Sequence, residues 1–81
     1  MTKETPKLVN SYNVLVDYRA GGRDQTSTRF TLDAENRAEA KAAGRRMFDE
    51  WVAYNRARGY GDFTDLTVIC VRCTFVDSRT A

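Results

Sequence analysis

Between Tyr12 and Tyr18 a large residue returns at every second position, Tyr12, Val14, Val16 and Tyr18, with Leu15 on the opposite side. That is the period of a β-strand with one buried face. The stretch AGGRD then interrupts the alternation with two adjacent glycines, and STRFTLD restores it at Thr28, Phe30 and Leu32. Glycine tolerates positive φ, so the pair marks a hairpin turn. A two-residue Gly21-Gly22 turn would pair Val14 with Arg29 and Val16 with Ser27, setting a charge on the core face. A three-residue loop, Gly21 to Arg23, pairs Val16 with Thr28, Val14 with Phe30 and Tyr12 with Leu32, so the odd loop is expected.

The next segment, NRAEAKAAGRRMFDEWVAYNRARG, carries Ala40, Ala43, Gly44, Met47, Trp51 and Tyr54 at spacings of three and four, with Phe48 and Val52 widening the stripe. This is the pattern of an amphipathic helix. Asn36 followed three residues later by Glu39 suits an N-terminal cap, with Asp33 as a competing start, and Gly59 after Arg56 and Arg58 suits the C-terminus. Asp49 stands four after Arg45 and Glu50 four after Arg46, a spacing that allows ion pairs on the outer face.

After the loop YGDFTD, the segment from Leu66 to Val76 is rich in β-branched and aromatic residues and reads as a third strand. The expected fold is therefore α+β, in the order ββαβ. A right-handed crossover through the helix makes the first strand central, in an antiparallel sheet of order 2-1-3 with the helix on one face. Residues 1–9 are expected to form a flexible lead-in, 10–77 a single domain and 78–81 a short tail. No repeat or low-complexity stretch interrupts this plan.

An 81-residue chain has room for one small core. Thirteen Lys and Arg against eleven Asp and Glu leave a net charge of +2, short of the basic excess of a dedicated nucleic-acid binder. No apolar run approaches the roughly 20 residues of a membrane helix, and MTKETPKLVN lacks the apolar segment of a signal peptide, so a cytoplasmic location with reduced thiols is expected.

Cys70 and Cys73 form a Cys-x-x-Cys, yet within a strand residues three apart point to opposite faces. Cys73 is expected on the core side with Ile69, Val71 and Phe75, and Cys70 on the uncovered face. Redox dithiols sit at helix starts instead. The sequence has no histidine and no second cysteine pair, so neither a zinc site nor a cofactor is expected. No serine or cysteine stands at a nucleophile turn, Asp62 and Asp65 read as loop residues before an acid/base pair, and Gly59-Tyr60-Gly61 follows a helix where a dinucleotide fingerprint would precede one. A non-enzymatic protein is expected.

Two surfaces remain. The open sheet face is expected to present Leu15, Asp17, Arg19, Arg29, Thr31, Val68, Cys70, Arg72 and Thr74, a mixture favoured at interfaces when it is not simply solvated. The second comprises the AGGRD turn, with Arg23 and Asp24, and the YGDFTD loop. There Tyr60, Asp62, Phe63 and Asp65 either anchor a partner or, for Phe63, plug the end of the core.

The hairpin and helix, YNVLVDYRAGGRDQTSTRFTLDAENRAEAKAAGRRMFDEW, resemble the arm-type DNA-binding domain of phage integrases, in which a small sheet reads a DNA groove. Here the third strand follows the helix, and Asp17 and Asp24 stand where phosphates would favour Lys or Arg. As a whole, the Arg- and Ala-rich chain, with its opening run MTKETPKLVNSYNVLVDYRAGG and ββαβ order, is similar to small phage-encoded anti-CRISPR proteins that inhibit the type I-C Cascade. That resemblance implies a protein that binds the backbone subunits of the surveillance complex and blocks target DNA, and a monomer is expected. A DNA-binding module and a phage assembly subunit that buries its sheet against copies of itself are the alternatives.

Overall fold

The computed structural model describes residues 8–80, so Met1–Lys7 of the expected lead-in and Ala81 of the expected tail lie outside the described residues. Four elements follow one another: β1 (Leu8–Arg19), β2 (Thr26–Ala34), α1 (Arg37–Arg58) and β3 (Thr67–Thr80). The sheet is antiparallel with order β2-β1-β3, and α1 packs against it. The hairpin register is the one required by the odd loop: Tyr12 pairs with Leu32, Val14 with Phe30 and Val16 with Thr28. Gly21 and Gly22 adopt φ of 63° and 70°, the left-handed conformation that the turn needs.

The helix ends where its caps dictate. Asn36 accepts the Glu39 N–H at 2.9 Å, while the Glu39 carboxylate reaches back to the Glu35 N–H at 3.1 Å. Gly59 closes the other end at φ 71°, and the Arg45–Asp49 pair forms on the outer face at 3.2 Å.

The buried row of α1 is Ala40, Gly44, Phe48 and Val52, whereas Met47 and Tyr54, expected within the stripe, are exposed. Met47 and Tyr54 lie roughly 80–100° round the helix from the centre of that row. Gly44 decides the rotation, because a side chain there would overlap the fully buried Val14. Two connected clusters fill the core. Val16, Tyr18, Ala20, Phe48, Val52 and Phe63 pack with Trp51 and Val68, and Tyr12, Val14 and Ala40 pack with Leu32 and Cys73.

Strand β3 departs from simple alternation in two places. Asp17 pairs with Cys70 but Tyr18 with Val68, so a bulge at Ile69 reverses the faces. Val68, expected on the open face, therefore packs into the core, and Ile69, expected in the core, is 43% exposed. A second irregularity pairs Ser11 with Asp77 but Tyr12 with Phe75, leaving Val76 exposed beside the bulge. β3 also runs to Thr80, so residues 78–80 are strand where a tail was expected, and β1 starts at Leu8, inside the expected lead-in.

Candidate functional site

Among the described residues, no helix or strand covers the sheet face opposite α1. Pairing places its side chains in rows. Ser27, Asp17 and Cys70 form one; Arg29, Leu15 and Arg72 the next; Thr31, Asn13 and Thr74 the third; and Asp33, Ser11 and Asp77 the fourth. Arg19 stands opposite Thr67 at the hairpin end. Val68 drops out of this face, and Ser11, Asn13, Ser27, Asp33, Asp77 and Arg79 join it.

The two halves of the face differ. In the half distant from the turn, polar groups satisfy one another: the Thr31 hydroxyl donates to Asn13 at 2.8 Å, Ser11 donates to Asp33 at 2.7 Å, and Arg79 bridges to the other Asp33 oxygen at 2.6 Å. The Ser11 hydroxyl and the Arg79 guanidinium hold the Asp33 carboxyl below its ordinary pKa, against a smaller opposing effect of desolvation.

In the half near the turn the central group is Asp17. Ser27 donates its hydroxyl to Oδ1, and Arg72 approaches side-on, with one terminal nitrogen 2.9 Å from Oδ1 and Nε 2.9 Å from Oδ2. Bidentate guanidinium contacts of this kind are the stronger form of ion pair. The Ser27 hydrogen bond first, then Arg72, lowers the Asp17 pKa, and Asp17 in turn raises that of Arg72. The two partners are unequally placed. The Asp17 side chain is 6% exposed and the Arg72 side chain 56%. Arg19 and Arg29 are exposed and form no ion pair with a described residue. Solvent therefore meets guanidinium groups around a half-buried Leu15.

The two loops that the sequence offers separately form one surface. Gly21 donates its N–H to the Thr64 carbonyl at 2.7 Å, and Arg23 reaches the Asp62 carbonyl at 2.7 Å. Asp62 accepts the Thr64 N–H at 3.0 Å and its hydroxyl as well. Those two bonds, the hydroxyl first, hold the Asp62 carboxyl below its ordinary pKa. Asp65 sits at φ 54°, a conformation aspartate tolerates better than most side chains. Phe63 is buried and stacks edge-on to Trp51, with ring centres 5.4 Å apart, so it plugs the end of the core. Arg56 fixes its carbonyl at 2.8 Å. Tyr60, Asp62, Asp65, Arg23 and Asp24 stay exposed.

Of the sequence candidates, then, Arg19, Arg29 and Arg72 share the open face, Arg23 and Asp62 are tied together at the turn, and Asp17 and Phe63 are buried. Ser27 was the missed member of the Asp17 cluster. Its signal was present in the hairpin register, which sets Ser27 directly opposite Asp17.

The thiols do not converge: Cys70 lies exposed on the open face and Cys73 half-buried beneath α1, where the Arg37 guanidinium bonds its carbonyl at 2.7 Å. Among the described residues, no three or more acidic or thiol groups are grouped to hold a metal ion, and no helix is long and apolar enough to cross a membrane. No family model, curated protein or solved structure matches the chain.

Proposed function

We propose that this chain is a non-enzymatic, protein-binding inhibitor that docks through its open sheet face, and that the type I-C Cascade is its target. The first part rests on one observation: a three-stranded face bearing exposed arginines around Leu15, with no described element packed over it. Arginine beside an apolar residue on a rigid scaffold is the composition of interface centres, since it gives both bidentate hydrogen bonding and contact area. The identity of the target rests on the resemblance to anti-CRISPR proteins. On this reading the protein occupies the backbone subunits of Cascade and obstructs target DNA, and it acts as a monomer in the bacterial cytoplasm.

A gel-shift titration of target duplex with purified Cascade, with and without the protein, tests this reading. Loss of the Cascade shift, with no shift of DNA by the protein alone, is the expected result. Retention of the Cascade shift at saturating protein would overturn the target assignment. A second reading, a small DNA-binding module, draws on the exposed Arg19 and Arg29 of the hairpin. It requires a shift by the protein alone that weakens steeply with salt.

A further inference from the structure

We infer that the turn-proximal half of the open face is a carboxylate-accepting patch, in which Arg19, Arg29 and Arg72 surround Leu15 and engage an acidic segment of a protein partner. The inference rests on the open-face reading above and specifies its chemistry.

Charge on this face is redistributed by folding. The sequence puts Asp17 among these arginines, and a flat reading of the strand makes the patch a mixture of signs. Folding sinks the negative member between its neighbours, where its charge is matched by Arg72 and leaves Arg19 and Arg29 as the uncompensated cations. Both Asp17 oxygens are occupied, one by Ser27 and Arg72 and the other by Arg72, and the carboxylate is sunk between its neighbours. The Arg72 side chain that covers it remains more than half exposed, and Arg19 and Arg29 are free of ion pairs with described residues. Asp24, the acidic residue of the turn, lines a hollow with Tyr18 and Ala20, on the α1 side of the sheet. Asp33 and Asp77 belong to the far row, where Arg79 already pairs with Asp33.

Spacing then selects the kind of anion. Adjacent strands lie about 4.8 Å apart, so the Arg29 and Arg72 backbones flank Leu15 at roughly 10 Å from each other, and Arg19 stands about 13 Å further along β1. Arginine side chains rooted at that separation, two of them free of ion pairs with described residues and the third offering the edge of its guanidinium that Asp17 does not use, suit carboxylates displayed on a strand or helix. The half-buried Leu15 between them offers a seat for an apolar side chain, which a phosphate backbone lacks. Duplex DNA carries one charge per roughly 1.7 Å and rewards a longer cationic track than three residues supply. A whole-chain charge of +2 adds little beyond the patch. Asp17 is a positioning residue here: it fixes the Arg72 fork and makes no contact with the partner.

The test uses the isotope-labelled full chain, with backbone amide and arginine side-chain NMR shifts followed during titration by poly-L-glutamate, and separately by short duplex DNA, at about 50 mM salt. Expected are shifts centred on Leu15, Arg19, Arg29 and Arg72 that reverse at about 500 mM salt. Arg19→Glu and Arg29→Glu should each weaken poly-L-glutamate binding by about tenfold, since they replace attraction with repulsion at exposed sites without disturbing Asp17. Arg72→Gln, checked for an unchanged fold by its amide spectrum, should weaken it as well. The inference is overturned if poly-L-glutamate produces no shifts, if the shifts fall on α1 or the loop end, or if Arg29→Glu binds like the parent. Tighter binding of duplex than of poly-L-glutamate at equal anionic charge would also overturn it, in favour of a nucleic-acid surface. Because Cascade is absent from this titration, the patch and the target fail separately. A positive titration with no effect on the Cascade shift removes the target, and the converse keeps the inhibitor and moves its contact elsewhere.

Discussion

Replacing Gly44 by alanine tests the central packing claim of the fold. A methyl group at this position would lie 2.7 Å from Val14 Cβ and 3.1 Å from Cγ2, and nearer still to Cγ1. Ordinary contact begins at about 3.4 Å, so helix and sheet must separate by about an ångström or Val14 must yield. Val14 has little freedom to do so, because it is fully buried and paired with Phe30 and Cys73 on either side. Two effects oppose each other. Alanine raises helix propensity by about 1 kcal/mol over glycine, and overpacking a tight core costs typically 1–3 kcal/mol. With the overlap falling on a stiff β-branched side chain, the upper end applies, and the net loss should be about 2 kcal/mol. For a domain of this size that lowers Tm by about 8–16 °C. The assay is urea unfolding followed by circular dichroism, with the slope m unchanged and the midpoint displaced. Val14→Ala in the Gly44→Ala background should cost less than the sum of the single losses, because it removes two of the three overlapping carbons. Stability equal to or above the parent for Gly44→Ala, or strict additivity of the pair, would refute the close approach.

Three further perturbations address the turn, the buried carboxylate and the thiols. Gly22→Ala should lose only the left-handed backbone penalty of about 1–2 kcal/mol, since no atom lies within 4 Å of its Cβ position. Gly21→Ala, whose methyl would meet the Asp62 carboxylate at 2.8 Å and its carbonyl at 3.1 Å, should lose more. Equal losses in thermal melts would show that turn and loop do not interlock. Asp17→Asn should destabilise the chain at neutral pH. The folded pKa of Asp17 is depressed, so its contribution is fully present above the unfolded value of about 3.9 and disappears as pH falls through the folded value. Parent and variant should accordingly converge in urea midpoint at acid pH, and a gap that persists unchanged there would remove the ion pair as its cause. Asp33 and Asp62 are depressed in the same direction, so both proteins should continue to lose stability on acidification. With a thiol reagent such as Ellman's, Cys70 should react in a fast phase and Cys73 in a slow phase limited by opening of the α1 contact. A single fast phase accounting for both thiols would contradict the packing of α1 over β3.

Much of the fold was determined by short-range patterns along the chain. The alternation at Tyr12–Tyr18 and at Thr28–Leu32, joined by a loop whose length had to keep apolar positions together, settled the hairpin register. Period two allows only one of two neighbouring registers to bury the same side chains. The Asn36 and Gly59 caps were equally legible, because capping uses hydrogen bonds within one turn of the residue concerned.

What only the tertiary structure decided lies at long separation. Helical spacing defined an apolar sector, but the approach of Gly44 to Val14 selected the row within it and left Met47 and Tyr54 outside. In β3, a strict period of two fails because each bulge inserts one residue, and nothing in TVICVRCTFVD marks Ile69 or Val76 as the extra one. Only pairing with a twisted neighbour does. The joining of the turn to the YGDFTD loop involves groups 39 residues apart, and the covering of Asp17 by Arg72 spans 55. Burial of a charge is a property of what surrounds it, so residue type and spacing placed Asp17 on the open face while the surrounding side chains removed it from solvent.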